Sequence, residues 1–177
     1  MFRPGKKIKL LPYSSDSWQY LAKWFYSGDF PLFFRNHIYK KSQTELENFE
    51  SLYQIQGFLI FFEDRPIGFA TLSFVNYISR SAHIGILIEK EYSKQDLAAD
   101  AFAVLSDYIF NRLNFHKMSA QVSSVDKRSI HILETAGLTL EAKIKDASFI
   151  NGMYNDDLIY SIFDTEMKQI LRIYFGD

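Results

Sequence analysis

Three places in this chain combine residue types that could do chemistry: His83, the loop 90–96 and Ser129. His83 lies in the run SAHIGILIE, and an imidazole can take a proton from an ammonium near neutral pH without a large pKa shift. Glu89 closes the same run and could pass that proton on through a water. The loop 90–96, KEYSKQD, leads into a helix-patterned stretch, where unpaired amides and the helix dipole favour an anion. Ser129 stands in DKRS at a second helix start. Plainer readings stand beside these. A lone His on a strand is most often structural, Asp96 is a favoured N-cap residue, and a Ser at a helix start is most often a cap.

These residues need elements to hold them. Residues 6–13 alternate polar and apolar as a half-buried strand, with Pro12 marking its end or an edge. Ser15 or Asp16 can cap a helix carrying Trp18, Leu21, Ala22, Phe25 and Tyr26, closed by Gly28. A short helix is expected at 31–37. Ser42 and Glu45 make a capping-box pattern for a third helix with Leu46, Phe49, Leu52 and Tyr53 on one stripe, ending at Gly57. Two apolar runs, 58–62 and 67–75, flank the turn residues Glu63, Asp64, Arg65 and Pro66. A turn at 76–80 leads to a strand at 81–89, and 97–113 reads as one long helix. A strand at 118–122, a helix at 127–136, strands at 138–149 and 158–163, and a terminal helix at 166–175 complete the order. Strand, helix, strand around 97–113 requires a parallel crossover in an otherwise antiparallel α+β pattern.

Length and composition bound the answer. A chain of 177 residues, 47% hydrophobic, buries one core, so a single domain over 1–177 is expected. The net charge of −1 gives no field directed at nucleic acid or an anionic membrane. The absence of Cys removes disulfides, thiolate metal sites and a cysteine nucleophile. His37, His116 and His131 share no ligand spacing, and no metal site is expected. The sequence has no secretory signal pattern and no stretch of about 20 apolar residues, which makes a cytoplasmic protein without membrane association the default.

The succession RSAHIGILIEKEY, LAADAFAVLSDYIFNRLNFHKMSAQV and VDKRSIHILETAGLTLEAKI, followed by Gly152, Tyr154, Asp156 and Tyr160, resembles the GNAT superfamily of acyl-CoA N-acyltransferases. Within it, the chain is most similar to the branch with ribosomal-protein N-terminal acetyltransferases. The resemblance implies a GNAT fold: a mixed, mostly antiparallel sheet of six to seven strands with a splayed parallel pair, flanked by helices. It also implies acetyl-CoA as cofactor. The family's pyrophosphate loop usually reads Arg or Gln, two variable residues, Gly, a variable residue, then Gly or Ala. Here the aligned residues are Ser93, Lys94, Gln95, Asp96, Leu97 and Ala98, an eroded version with a carboxylate in place of a glycine.

The same likeness assigns roles. Backbone groups of Ile86, Leu87 and Ile88 would face the pantetheine arm, with one N–H, that of Leu87, as oxyanion donor. Residues Ser93 to Ala99 (Ser93, Lys94, Gln95, Asp96, Leu97, Ala98, Ala99) would meet the pyrophosphate. Asp126 stands where the family commonly has Asn, and Leu133 where it often has Tyr. Ser129 matches the serine that protonates the leaving thiolate, and His83 takes the position of a basic Glu. Trp24, Phe34, Arg35, Asn36 and His37 would line the acceptor side, although periodicity assigns much of that aromatic face to the core.

Two functions follow. The first is an acetyl-CoA dependent N-acetyltransferase that transfers an acetyl group to the primary amine of a small molecule or a protein N-terminus, by direct attack in a ternary complex, as a monomer or homodimer. The alternative is a non-catalytic binding or assembly protein on the same fold, which the residues at 93, 96, 126 and 133 would suit.

Overall fold

The structure is a computed structural model that describes residues 2–26, 42–93 and 96–176, without the side chains of Phe25, Tyr26 and Tyr53. Its strands are β1 (Ile8–Pro12), β2 (Gln56–Phe62), β3 (Arg65–Asn76), β4 (Ser81–Ile88), β5 (Lys117–Ser123), β6 (Thr139–Ile150) and β7 (Met153–Phe163). They form one seven-stranded sheet in the order β1-β2-β3-β4-β5-β7-β6. The helices are α1 (Trp18–Tyr26), α2 (Gln43–Glu47), α3 (Phe49–Tyr53), α4 (Leu97–Asp107), α5 (Lys127–Thr135) and α6 (Asp164–Phe175). This is the expected α+β architecture, at the upper end of the expected strand number. The chain divides into two compact units, Met1–Phe74 with Gly85–Leu105, and Val75–Ile84 with Ser106–Asp177.

In the first unit, β1, β2 and β3 form an antiparallel meander. Its core gathers Tyr13, Leu21, Trp24, Leu46, Phe49, Leu59 and Phe69, with Leu87 packed against it. The Tyr13 and Phe49 rings each meet Phe69 edge-on at 5.8 Å, the geometry that aromatic quadrupoles prefer. The β2–β3 turn is tighter than expected. Only Glu63 and Asp64 lie outside the strands, with φ of 48° and 62°, and Phe62 pairs with Arg65. Two left-handed residues in succession match a type I′ hairpin, which suits the strand twist, so Arg65 and Pro66 belong to β3. One step on, the register slips: Ile60 pairs with Gly68 and Phe61 with Pro66, leaving Ile67 as the extra residue of a bulge.

The expected third helix is two. The capping box forms, with Glu45 N–H donating to Ser42 Oγ and Ser42 N–H to Glu45 Oε2. The helix then breaks at Asn48, whose side-chain amide bonds back to the Thr44 carbonyl, a competition typical of Asn inside helices. It ends at left-handed Gln54 instead of Gly57. Gly57 lies within β2 because the Phe69 ring occupies the space of its missing Cβ.

The second unit holds the parallel pair. Residues Ser81 to Ile84 of β4 run beside Lys117 to Ala120 of β5, β5 pairs antiparallel with β7, and β7 with β6. The long helix expected at 97–113 stops at Asp107 and continues as a π-helical turn, Tyr108–Arg112, closed by Leu113 N–H to the Tyr108 carbonyl. β7 begins at Met153, five residues before the expected 158, because it extends into an exposed hairpin with β6 that carries no alternation of burial for a sequence to display. The helix expected at 31–37 lies outside the described residues.

Candidate active site

The parallel ladder of β4 is short. Four residue pairs join it to β5, from Ser81↔Lys117 to Ile84↔Ala120, whereas β4 itself continues to Ile88. Beyond Ile84, β4 is held from its other edge. A Cβ built on Gly68 would stand 2.1 Å from the Leu87 carbonyl oxygen, so only glycine lets the two backbones come this close. The bulged Ile67 turns its carbonyl to β4 and accepts the Glu89 N–H at 2.8 Å. Ile86, Leu87 and Ile88 are half-buried.

The segment leaving β4 is anchored side chain by side chain. Residues Lys90–Tyr92 make a 3-10 turn. The Tyr92 ring meets Phe62 at 6.1 Å and lies under the Arg65 guanidinium, which also reaches Glu91. Ser93 continues the turn through its N–H to the Lys90 carbonyl. Asp96 has φ of +57°, and its carbonyl accepts the Asp100 N–H that opens α4. An Asp that caps a helix with its side chain ordinarily has extended backbone. Here the carboxylate is exposed and the backbone adopts the left-handed form for which a glycine is the default. Leu97 is buried, Ala98 half-buried and Ala99 exposed.

The first turn of α4 is tied down by Asp100, which is 3% exposed. Its carboxylate accepts the backbone N–H groups of Lys6, Lys7 and Ile8 at 2.9, 2.6 and 2.9 Å. A Cβ on Gly5 would touch the same carboxylate.

Trp24 and Glu89 come together. The indole N–H donates to Glu89 Oε1 at 2.8 Å, and the Lys23 ammonium binds the same oxygen at 2.5 Å. Burial opposes charge on Glu89. The two donors and the Lys23 charge outweigh it and hold the carboxyl below its ordinary range.

His83 stands opposite Ser119 and near the ion pair of Lys117 with Glu141. Burial first, then the Lys117 charge, lowers its pKa against the opposing pull of Glu141. That shift favours the neutral ring, the state a proton acceptor needs. Ser129 and Asp126 also meet: Asp126 caps α5, accepting Ser129 N–H at 3.0 Å on one oxygen and the Ser129 hydroxyl at 2.8 Å on the other. Leu133 is buried. Phe34, Arg35, Asn36, His37, Lys94 and Gln95 lie outside the described residues.

Residues 10–139 match the family described as acetyltransferase (GNAT) domain. The chain belongs to the GNAT family. The GNAT relatives include spermidine N(1)-acetyltransferase of Escherichia coli K12, 30% identical over 106 residues, which are 60% of this chain and 57% of that one. The match thus spans a little over half the length of that relative. A putative ribosomal N-acetyltransferase of Bacillus subtilis is 25% identical over 85% of this chain and 81% of its own. Among solved structures, spermidine N-acetyltransferase from Vibrio cholerae in complex with CoA and spermine superposes with a TM-score of 0.83, at 24% identity, over 92% of this chain and 98% of that one. That likeness establishes the GNAT fold.

Two functional candidates were not evident from the GNAT pattern. Lys23 precedes Trp24 on a helix and reads as a solvated residue, and Asp100 reads as an ordinary first-turn acid. Only long-range contacts, 66 residues apart for Lys23 and more than 90 for Asp100, reveal them.

Proposed function

We propose that this GNAT protein is an acetyl-CoA dependent N-acetyltransferase acting on the primary amine of a small cationic molecule. The observation that carries the reading is the pairing of β4: its ladder with β5 ends at Ile84↔Ala120, while Gly68 and Ile67 hold residues 86–88 from the other edge. An acyl thioester would lie along that stretch of residues 86–88, with one of its main-chain N–H groups as donor to the developing oxyanion. Leu87, the expected donor, turns its carbonyl toward Gly68 of β3.

Residues 93–99 would receive the pyrophosphate. Its fit is mixed. Left-handed Asp96 reproduces the backbone of a glycine and leaves the first amides of α4 to an anion, whereas its carboxylate repels one. His83 would take the proton of the attacking ammonium. The amine nitrogen then forms its bond to the thioester carbon as the carbon–sulfur bond breaks. Ser129 would protonate the leaving sulfur by exchanging its hydrogen bond to Asp126, and its oxygen would regain a proton from the one that the newly bonded amide nitrogen must release, directly or through water. Asp126, Lys94 and Gln95 would complete the cofactor side, and Trp24, Phe34, Arg35, Asn36 and His37 the acceptor side.

Relatives named for spermidine favour a polyamine over a protein N-terminus. Relatives named as N-acetyltransferases also speak against the alternative of a non-catalytic binding or assembly protein. No helix among the described residues is long and apolar enough to cross a membrane, and cytoplasmic action as a monomer or homodimer completes the proposal. Calorimetry with acetyl-CoA and CoA, paired with release of free thiol on adding spermidine, tests it. Saturable heat and thiol release are expected; no heat at millimolar cofactor would sink the assignment.

A further inference from the structure

The Glu89 carboxylate is unusual for a strand end. Its side chain is 10% exposed, and both Trp24 Nε1 and Lys23 Nζ are directed at the same oxygen. A buried carboxylate persists as an ion only when donors and a cation meet it. The indole is a fixed part of the arrangement: Trp24 is 2% exposed and packed against Phe69. Lys23 is not fixed in this way. Its side chain is 53% exposed and reaches the carboxylate from the surface of α1. A lysine side chain is an alkylammonium with four carbons, so Lys23 shows that such a group fits against Glu89 and the Trp24 edge.

Position gives this arrangement its meaning. Glu89 directly follows β4, two residues after Leu87 and about 7 Å on along an extended chain. Leu87 packs against the core that contains Trp24, the residue bonded to Glu89, so both side chains lie on the Trp24 side. A three- or four-carbon spacer separates the nitrogens of an extended diamine by roughly 5–6 Å. An amine attacking a carbonyl held at the main chain of residues 86–88 would therefore have its next ammonium within reach of Glu89.

We propose that Glu89, set by Trp24, is the subsite for the second, non-reacting ammonium of a di- or polyamine, and that Lys23 occupies it in the free protein. The proposal rests on the acetyl-transfer reading and names the specificity group for it. Substrate exchanges one ammonium for another, so Glu89 keeps a cationic partner throughout. Lys23 returns to water at little cost, since an ion pair this exposed at one end is weakly held.

The test compares spermidine with butylamine, which has the alkyl chain and one nitrogen only. Thiol release gives kcat and KM for each, and calorimetry gives spermidine affinity independently of turnover. In Glu89→Gln the KM and Kd for spermidine are expected to rise by about tenfold, as for loss of a charge-assisted bond, and the preference for spermidine over butylamine in kcat/KM to fall by about the same factor. In Lys23→Met the spermidine KM is expected to fall about threefold, because a competing occupant is gone, and that for butylamine to stay. Equal losses for both amines in Glu89→Gln, or an unchanged or higher spermidine KM in Lys23→Met, overturn the subsite and leave Glu89 as a tie between α1 and β4. Wild-type protein that acetylates both amines without Glu89-dependent selectivity counts against the subsite alone. Failure to acetylate either counts against acetyl transfer itself.

Discussion

The α-carbon of Gly68 faces the carbonyl oxygen of Leu87 so closely that a methyl group placed there would stand 2.1 Å from it. Strand β3 thereby claims the outer end of β4 just past the last pair, Ile84↔Ala120, of the parallel ladder. The bulge at Ile67 and the bond from Glu89 N–H fix the same contact. A sheet that must release a strand on one side needs such a hold on the other. Gly68→Ala should force the backbones apart and destabilise the protein by about 2–3 kcal/mol, the scale of overpacking. It should also weaken CoA binding beyond what the stability loss explains. Urea unfolding and CoA titration of the folded variant check both, and a variant with wild-type stability and affinity would show that the close approach is incidental.

Asp96 carries two opposing effects. Its left-handed backbone carries a penalty of roughly 1 kcal/mol that a glycine avoids, but glycine adds a similar amount of unfolded-state entropy. Stability should barely change in Asp96→Gly. Affinity should, because a carboxylate near a pyrophosphate at an exposed site opposes it by on the order of 1 kcal/mol, roughly fivefold. Tighter CoA binding by that factor is expected in calorimetry at low salt, with the advantage of the variant shrinking as added salt screens the repulsion. Identical affinities would mean that the pyrophosphate does not approach residue 96.

Much of the fold could be read from short-range pattern, and the failures have local causes. Ser42 and Glu45 are three residues apart, so their reciprocal caps were legible. Asn48 broke that helix through a bond to Thr44 that competes with helix propagation, and Gly57 resembled a stop only because its partner Phe69 is distant in sequence. At the site, His83 and Ser129 could be nominated, and Ser129 with Asp126 is a neighbourly pair three residues apart. Lys23 with Glu89, and Asp100 with residues 6–8, are products of tertiary folding and leave no periodic trace.

His83 makes a pH prediction with a definite sign. Burial and then Lys117 lower its pKa, so the unfolded chain binds the proton at higher pH than the folded one. Stability associated with the neutral ring is complete above the ordinary imidazole value near 6.5 and declines as pH falls from there toward the folded value. Activity should show an acid limb below 6.5 that disappears in His83→Gln, with kcat reduced on the order of a hundredfold for loss of a general base. Lys117→Met removes the cation and leaves Glu141 facing the ring, so the limb should move to higher pH. A limb that stays in place in both variants assigns the proton to another group.

Asp100 joins residues 6–8 to the turn of α4 that follows Asp96, since its own N–H bonds to the Asp96 carbonyl while its carboxylate holds three amides. Asn has the same shape but presents an NH2 group to at least one of those donors. Leaving one amide of a buried trio unsatisfied and losing the charge of the acceptor should destabilise Asp100→Asn by about 2–4 kcal/mol. Because the carboxylate also fixes the helix start, CoA affinity should fall in the folded fraction. The Lys6 and Lys7 amides should lose protection from hydrogen exchange first, ahead of global unfolding. If their exchange stays coupled to global unfolding and stability is retained, the N-terminal segment is held by the β1 ladder, and the Asp100 contacts follow from that pairing instead of causing it.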